Sequence, residues 1–231
     1  MIVVLGRPSV YRPEPDGELA PGGLATEIAR AVAQHGGAVE LAGAIGDDPE
    51  GDRVVVELGR AGIGHAAVLR DPAARTPASG VTTPAVPASL ERPAPRLEAA
   101  DVELALGYLA ECHVLVVADP LEPDALSAAL RAADYHGAAA VIVAEAGEVD
   151  PEELGDRVTL LERPSTESAP ADAELPELED APAPGAEETV EPGNAFADFV
   201  AEYALRLDRG ETPARAFAAA LGDSAWEPAA E

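Results

Sequence analysis

Glu191-Pro192-Gly193-Asn194, within the stretch TVEPGNAF, opens an amphipathic helical pattern. Glycine with a small polar residue at a helix start is where unpaired backbone N–H groups and the positive dipole end hold anions. Here Pro192 has no N–H to offer. Glu191 would oppose a phosphate charge about 5 Å away by roughly 3 kcal/mol at an effective dielectric of about 20. Asn194 is of a type favoured as an N-cap. The spacing predicts a helix cap closed to anions, with Asn194 as the capping residue.

Other residues with chemical potential are scattered. Gly22 and Gly23 form a turn whose backbone can approach a ligand or simply take positive φ. Asp47 and Asp48, just after a strand pattern, are either cation ligands at the carboxyl end of a sheet or solvated loop acids. His35, His65, His113 and His136 have no paired spacing, so no metal site is expected. Cys112 is the only cysteine, which excludes an intramolecular disulfide and points to a reducing, cytoplasmic compartment. Its neighbours give no reason for a lowered thiol pKa. The Gly-x-Gly in GRAGIGHAAV follows a helical pattern instead of a strand, the wrong order for a dinucleotide turn.

The elements that must position these residues alternate along the chain. MIVVLG reads as a buried strand, and GGLATEIARAVAQHGG as a helix with Leu24, Ile28, Ala31 and Val32 on one stripe, closed by Gly36 and Gly37. AVELAGAIG is a strand, PEGDRVVVELGRAG a helix opened by Pro49, and HAAVLR a strand. Residues 76–95 keep β-type composition but carry prolines that confine them to an edge or a flap. A helix follows from about Glu98 to Glu111. Then come the strand HVLVVAD, the helix EPDALSAALRAADYHG and the strands AAVIVAE and DRVTLLER. Such alternation predicts an α/β fold with a mostly parallel sheet covered on both faces. Residues 165–191 lack basic, aromatic and most large apolar side chains and read as an acidic, proline-rich linker. Two helices complete residues 192–231, the second capped by Thr212 before Pro213.

Composition narrows the function classes. Formal net charge is -28, from 43 acidic and 15 basic residues, and every basic residue is arginine. That field repels nucleic acid and anionic membrane surfaces, and the absence of lysine removes Schiff-base and phosphate-loop lysine chemistry. Only 3% of residues are aromatic, so the core is expected to be aliphatic, with little ring surface for stacking on bases or sugars. No apolar run reaches the ~20 residues that span a bilayer, and the first residues lack a signal-peptide pattern.

PGGLATEIARAVAQHGGAVELAGAIGDDPEGDRVVVELGRAGI resembles the first signature of the ribokinase-like (PfkB) sugar and nucleoside kinases. EPGNAFADFVAEYALRLDRG follows the layout of their second signature. The resemblance implies a three-layer α/β sandwich truncated in its nucleotide-binding part. Its core would span residues 1–164, with a flap at about 76–95 opened by Thr76. It further implies a polyol, sugar or nucleoside beside Gly22 and Gly23, a homodimer through the flap, and ATP with Mg near the second signature.

Carried over residue by residue, Asp47 and Gly51 match the Gly-x-Asp-x-x-Gly element. Glu27 stands where the family has asparagine, and Tyr11 where an acid would clamp sugar hydroxyls. Asn194 takes the position of the base aspartate, with Glu191, Pro192 and Gly193 at the anion-hole position. General-base loss removes about 100- to 10,000-fold in rate, and the nucleotide element would have to lie within residues 165–190. The expectation is therefore a non-catalytic small-molecule or partner binder without cofactor. The alternative is an active kinase with a minimal ATP-Mg site, using Asp198 as its acid.

Overall fold

The computed structural model describes residues 1–13, 17–79, 92–109, 111–145, 147, 149, 154–155, 157–163, 192–224 and 226; for residues 192–194 it describes the backbone alone. Six strands form one sheet in the order β5-β4-β1-β7-β8-β9: β1 (Ile2–Gly6), β4 (Val39–Gly46), β5 (Val68–Asp71), β7 (Val114–Val117), β8 (Ala139–Glu145) and β9 (Val158–Arg163). All five of its ladders are parallel. β1 is central and wholly buried, as an uninterrupted Ile-Val-Val-Leu run requires. From β1 the chain winds outward through β4 to β5, then returns to add β7, β8 and β9 on the other side. The order reverses between β1 and β7, the place where open α/β sheets leave a crevice beyond the strands' carboxyl ends.

Two cores cover the two faces. One joins the sheet to α1 (Leu24–Gln34), α2 (Pro49–Arg60), α5 (Pro192–Asp208) and α6 (Pro213–Asp223). The other joins it to α3 (Ala99–Gly107) and α4 (Pro123–His136) through small residues such as Ala105, Ala125, Ala128, Ala129 and Ala140. The expected three-layer α/β sandwich is thus present. The aliphatic expectation holds on the α3/α4 face only. On the other face Phe196, Phe199, Tyr203, Phe217 and Trp226 gather, with the Phe199 and Trp226 rings 4.5 Å apart. A low aromatic total says nothing about where the rings go.

Two expected boundaries move. The helix expected to reach Glu111 ends at Gly107, with Tyr108 as its C-cap, because glycine weakens the last turn. Thr212 is the N-cap of α6 but makes no side-chain cap hydrogen bond.

A second, small sheet escapes periodicity analysis altogether: β2 (Ser9–Tyr11) between antiparallel β3 (Ala20–Gly22) and parallel β6 (Ala78–Ser79). Strands of two or three residues are too short to display alternation. Most of the flap (residues 80–91) and the acidic linker lie outside the described residues.

α5 runs antiparallel to the sheet. At its end the Asp208 carboxylate accepts from the Met1 ammonium at 3.0 Å and lies 2.8 Å from His113 Nδ1, at the amino ends of β1 and β7. Burial pushes that carboxyl up in pKa, but these two partners outweigh it and hold it below the usual carboxylate range. With its last residue fixed there, a 17-residue helix about 25 Å long brings Pro192-Gly193-Asn194 toward the carboxyl ends of the strands.

Candidate functional site

The carboxyl ends of β1 and β4, the start of α1 and the small sheet come together at one end of the molecule. Gly23 is the N-cap of α1 with φ 86°, a conformation a side chain would strain. A Cβ there would also meet the Arg7 carbonyl oxygen at 2.9 Å, so the chain leaving β1 passes directly over the glycine turn. The Tyr11 ring packs against Gly22, where an added Cβ would lie 2.8 Å from Tyr11 Cδ1. Tyr11, Gly22 and Gly23 are therefore neighbours. Glu27 follows in the first turn of α1, half-buried, its N–H donating to the Gly23 carbonyl at 3.0 Å.

Asp47 takes no part in this cluster's internal bonding. Its side chain is 63% exposed and sits 3.6 Å from Arg70 in a loose ion pair. The residue at the third position of Gly46-x-x-x-x-Gly51 is Asp48, so the Gly-x-Asp-x-x-Gly match moves by one residue. Asp48 is only 8% exposed. Its Oδ1 accepts the Gly51 N–H at 2.8 Å, capping α2 with Pro49 in the first turn, and its Oδ2 accepts the Thr76 N–H at 2.9 Å. The Thr76 Oγ1 in turn accepts the Gly46 N–H at 2.9 Å. Burial pushes the Asp48 carboxyl up in pKa. The Thr76 and Gly51 N–H groups, the Thr76 hydroxyl and the Arg92 charge prevail and hold it below its ordinary value.

This knot ties the end of β4, the start of α2 and the root of the flap together. From Thr76 the chain enters β6, whose neighbours bond to β2 through Val10 N–H to Pro77 O at 2.9 Å. Asp48 thus fixes the root of the flap, which through β6 is bonded to β2, the strand that carries Tyr11 and pairs with Gly22. Sequence reasoning read Asp47 and Asp48 together and missed this role. The signal available was an acid immediately before a proline at a helix's first position, with glycine three residues on.

At the other signature the N-cap expectation for Asn194 is corrected. The α5 backbone is already helical at Pro192, because proline's fixed φ is suited to the first helical position. Asn194 is the helix's third residue, and Glu191 lies outside the described residues. Asp198, one turn further on, is half-buried.

The remaining candidates have structural surroundings. His35 lies 3.3 Å from Glu202, His65 Nδ1 is 3.1 Å from the Ile63 carbonyl, and His136 meets the Tyr135 ring edge-on. Among the described residues no three His, Cys, Asp or Glu side chains converge as a metal site would need. Burial pushes the Cys112 thiol up to about 11.

Residues 5–161 match the model of the pfkB family of carbohydrate kinases. The chain belongs to that family. The match takes in the glycine turn, the Asp48 knot and the sheet from the end of β1 into β9, and stops before α5. No curated protein sequence matches the chain significantly. Among solved structures, the protein crystallised as Sa239 has 16% sequence identity and TM-score 0.63, over 99% of this chain and 95% of that one. A putative ribokinase II from E. coli in complex with ATP and Mg has 15% identity and TM-score 0.58, over 95% and 89%. A fructokinase with bound ATP from Xylella fastidiosa has 19% identity and TM-score 0.49, and this pfkB-family chain spans only 51% of its length. At these identities the likeness is one of fold. Among the described residues no helix is long and apolar enough to cross a membrane.

Proposed function

We propose that this pfkB-family chain binds a small polyol, sugar or nucleoside beside Gly22 and Gly23 and has given up ATP-dependent phosphoryl transfer. The observation that carries the reading is the contrast between its two ends. The substrate-side turn is formed and packed by Tyr11 and the Arg7 carbonyl, beside a flap root that Asp48 and Thr76 fix, whereas the helix start that should supply base and anion hole reads Pro192-Gly193-Asn194, without a carboxylate at the base position. Phosphoryl transfer rests almost wholly on positioning and charge stabilisation, so losing both leaves little to accelerate it. That the family match ends at residue 161 supports the same reading. In this proposal the C-terminal helices from residue 192 are part of the single core, residues 165–191 link them to it, and the protein works in the cytoplasm without a cofactor. It pairs as a homodimer through the flap, which a dimeric mass in light scattering would support and a monomeric one would refute.

The test is incubation with labelled ATP, Mg and a panel of sugars and nucleosides, followed by product analysis and thermal shift. The expected outcome is stabilisation by at least one sugar or nucleoside, no phosphorylated product and no shift with ATP. Steady turnover, abolished in an Asn194→Ala or Gly193→Ala variant, would overturn the proposal.

A further inference from the structure

Ten of the 15 arginines have a hydrogen-bond acceptor among the described residues, most of them in ion pairs with acids. The other five have none among the described residues, although the chain carries 43 acidic residues. Two arginines without a partner among the described residues, Arg7 and Arg96, come from distant segments and line the same cavity of about 360 Å³. Arg7 follows β1 directly. Arg96 stands between the flap and α3. The segment after β7 also lines it, with Leu121 and Glu122. This is the crevice of the sheet's switch point, where ligands of open α/β sheets bind, and its size is at the small end of the range for ligand sites.

Arg7 links the cavity to the glycine turn. The Arg7 carbonyl oxygen is the atom a Cβ on Gly23 would strike, and the Arg7 N–H donates to Asp119 Oδ2 at 2.8 Å, fixing the segment from which the Arg7 side chain springs. The charged groups lining the cavity are Arg7, Arg96 and Glu122, two cations to one anion in a chain of net charge -28. A neighbouring cavity of about 430 Å³, which Arg96 also borders, has the opposite balance: Asp71, Glu98 and Asp101 line it, and its Arg70 is already held by Asp52 at 2.7 Å.

We propose that the ligand bound at the glycine turn is a polyol carrying one anionic group, a sugar phosphate or a sugar acid, with the anion held between Arg7 and Arg96. Guanidinium groups suit phosphate and carboxylate oxygens because they offer paired N–H donors. Glu122, as an acceptor, is matched to the ligand's hydroxyls, which a bare inorganic anion lacks. The inference rests on the reading that a small molecule binds beside Gly22 and Gly23, and adds its charge.

Calorimetric titration with glucose 6-phosphate, gluconate and glucose tests it, the first two separating phosphate from carboxylate. The expected result is at least about tenfold tighter binding of one or both anionic ligands than of glucose, reduced about tenfold by Arg7→Gln and by Arg96→Gln. Arg215→Gln should leave it unchanged, and Arg7→Lys should recover part of the loss. Both cavity arginines are exposed and unpaired among the described residues, so the variants should unfold at the parent's temperature, which circular dichroism verifies. Glucose bound as tightly as either acid, or anion affinity indifferent to both glutamine variants, overturns the inference and leaves small-molecule binding standing. Silence with these ligands and with the whole sugar and nucleoside panel overturns both.

Discussion

The start of α2 and the start of α5 are written in nearly the same letters, Asp48-Pro49-Glu50-Gly51 and Glu191-Pro192-Gly193-Asn194. Each places an acid before a proline and a glycine within the first turn. At α2 the acid is turned inward: Asp48 satisfies the Gly51 and Thr76 N–H groups and so occupies, as an internal anion, the positive end of the helix dipole. At α5 the described chain begins at the proline, already helical, and no family match reaches it. The comparison teaches that the letters at a helix mouth do not by themselves set the acid's role: at α2 it is set by a second segment, Thr76 at the root of the flap, that arrives to share the carboxylate.

The comparison breaks most sharply if the α2 knot is not what holds the flap root. A Cβ on Gly46 would lie 2.5 Å from Asp48 Oδ2 and 2.7 Å from the Thr76 backbone nitrogen, and the latter cannot swing aside. Gly46→Ala should therefore destabilise the protein by roughly 3–4 kcal/mol in urea unfolding. A loss below about 1 kcal/mol, within the ordinary scatter of surface changes, would mean the knot is loose.

Removing the carboxylate itself should cost somewhat less. Asp48→Ala forfeits a helix cap and leaves the buried Thr76 N–H without its acceptor, together about 2–3 kcal/mol. The charge component has a sign that pH reveals. A carboxyl held below its unfolded value of about 3.9 contributes stability that is fully present above that pH and is lost as pH falls through the folded value. The gap in stability between parent and Asp48→Asn should accordingly be largest at neutral pH and close progressively below about pH 4. A gap that stays constant down to acid pH would assign Asp48 a purely steric role.

Much of this was legible in the sequence, and the exceptions share a cause. The strands β1, β4, β7 and β8 and the helices α1, α2 and α4 declare themselves because long apolar runs and 3.6-residue stripes report burial directly. β2, β3 and β6 do not, since two or three residues carry no period and their pairing is set by the long-range knot at Thr76. The glycine turn was visible as Gly22-Gly23, with Tyr11 near it only by analogy. That Asp48 and not Asp47 caps α2 was legible in the spacing Gly46-x-Asp48-Pro49-x-Gly51, but its tie to Thr76 was not, because that partner lies 28 residues away in sequence. Arg7 and Arg96 went unnoticed for the same reason: an arginine's isolation from carboxylates is a property of the fold alone.

The smallest expected effect sharpens the other half of the comparison. If Asn194 capped α5, replacing it by alanine would destabilise the protein by about 1 kcal/mol, as the loss of such caps does. As the third residue of a helix that begins at Pro192, it occupies a position where alanine is the better helix former by about 0.6 kcal/mol. Asn194→Ala should thus be neutral to slightly stabilising, opposite in sign to Asp48→Ala at the otherwise similar mouth of α2. Differential unfolding of the two variants under one set of conditions reads that sign directly. A loss at both positions would make the two helix starts equivalent, and the first helical residue of α5 would then move from Pro192 to Ala195.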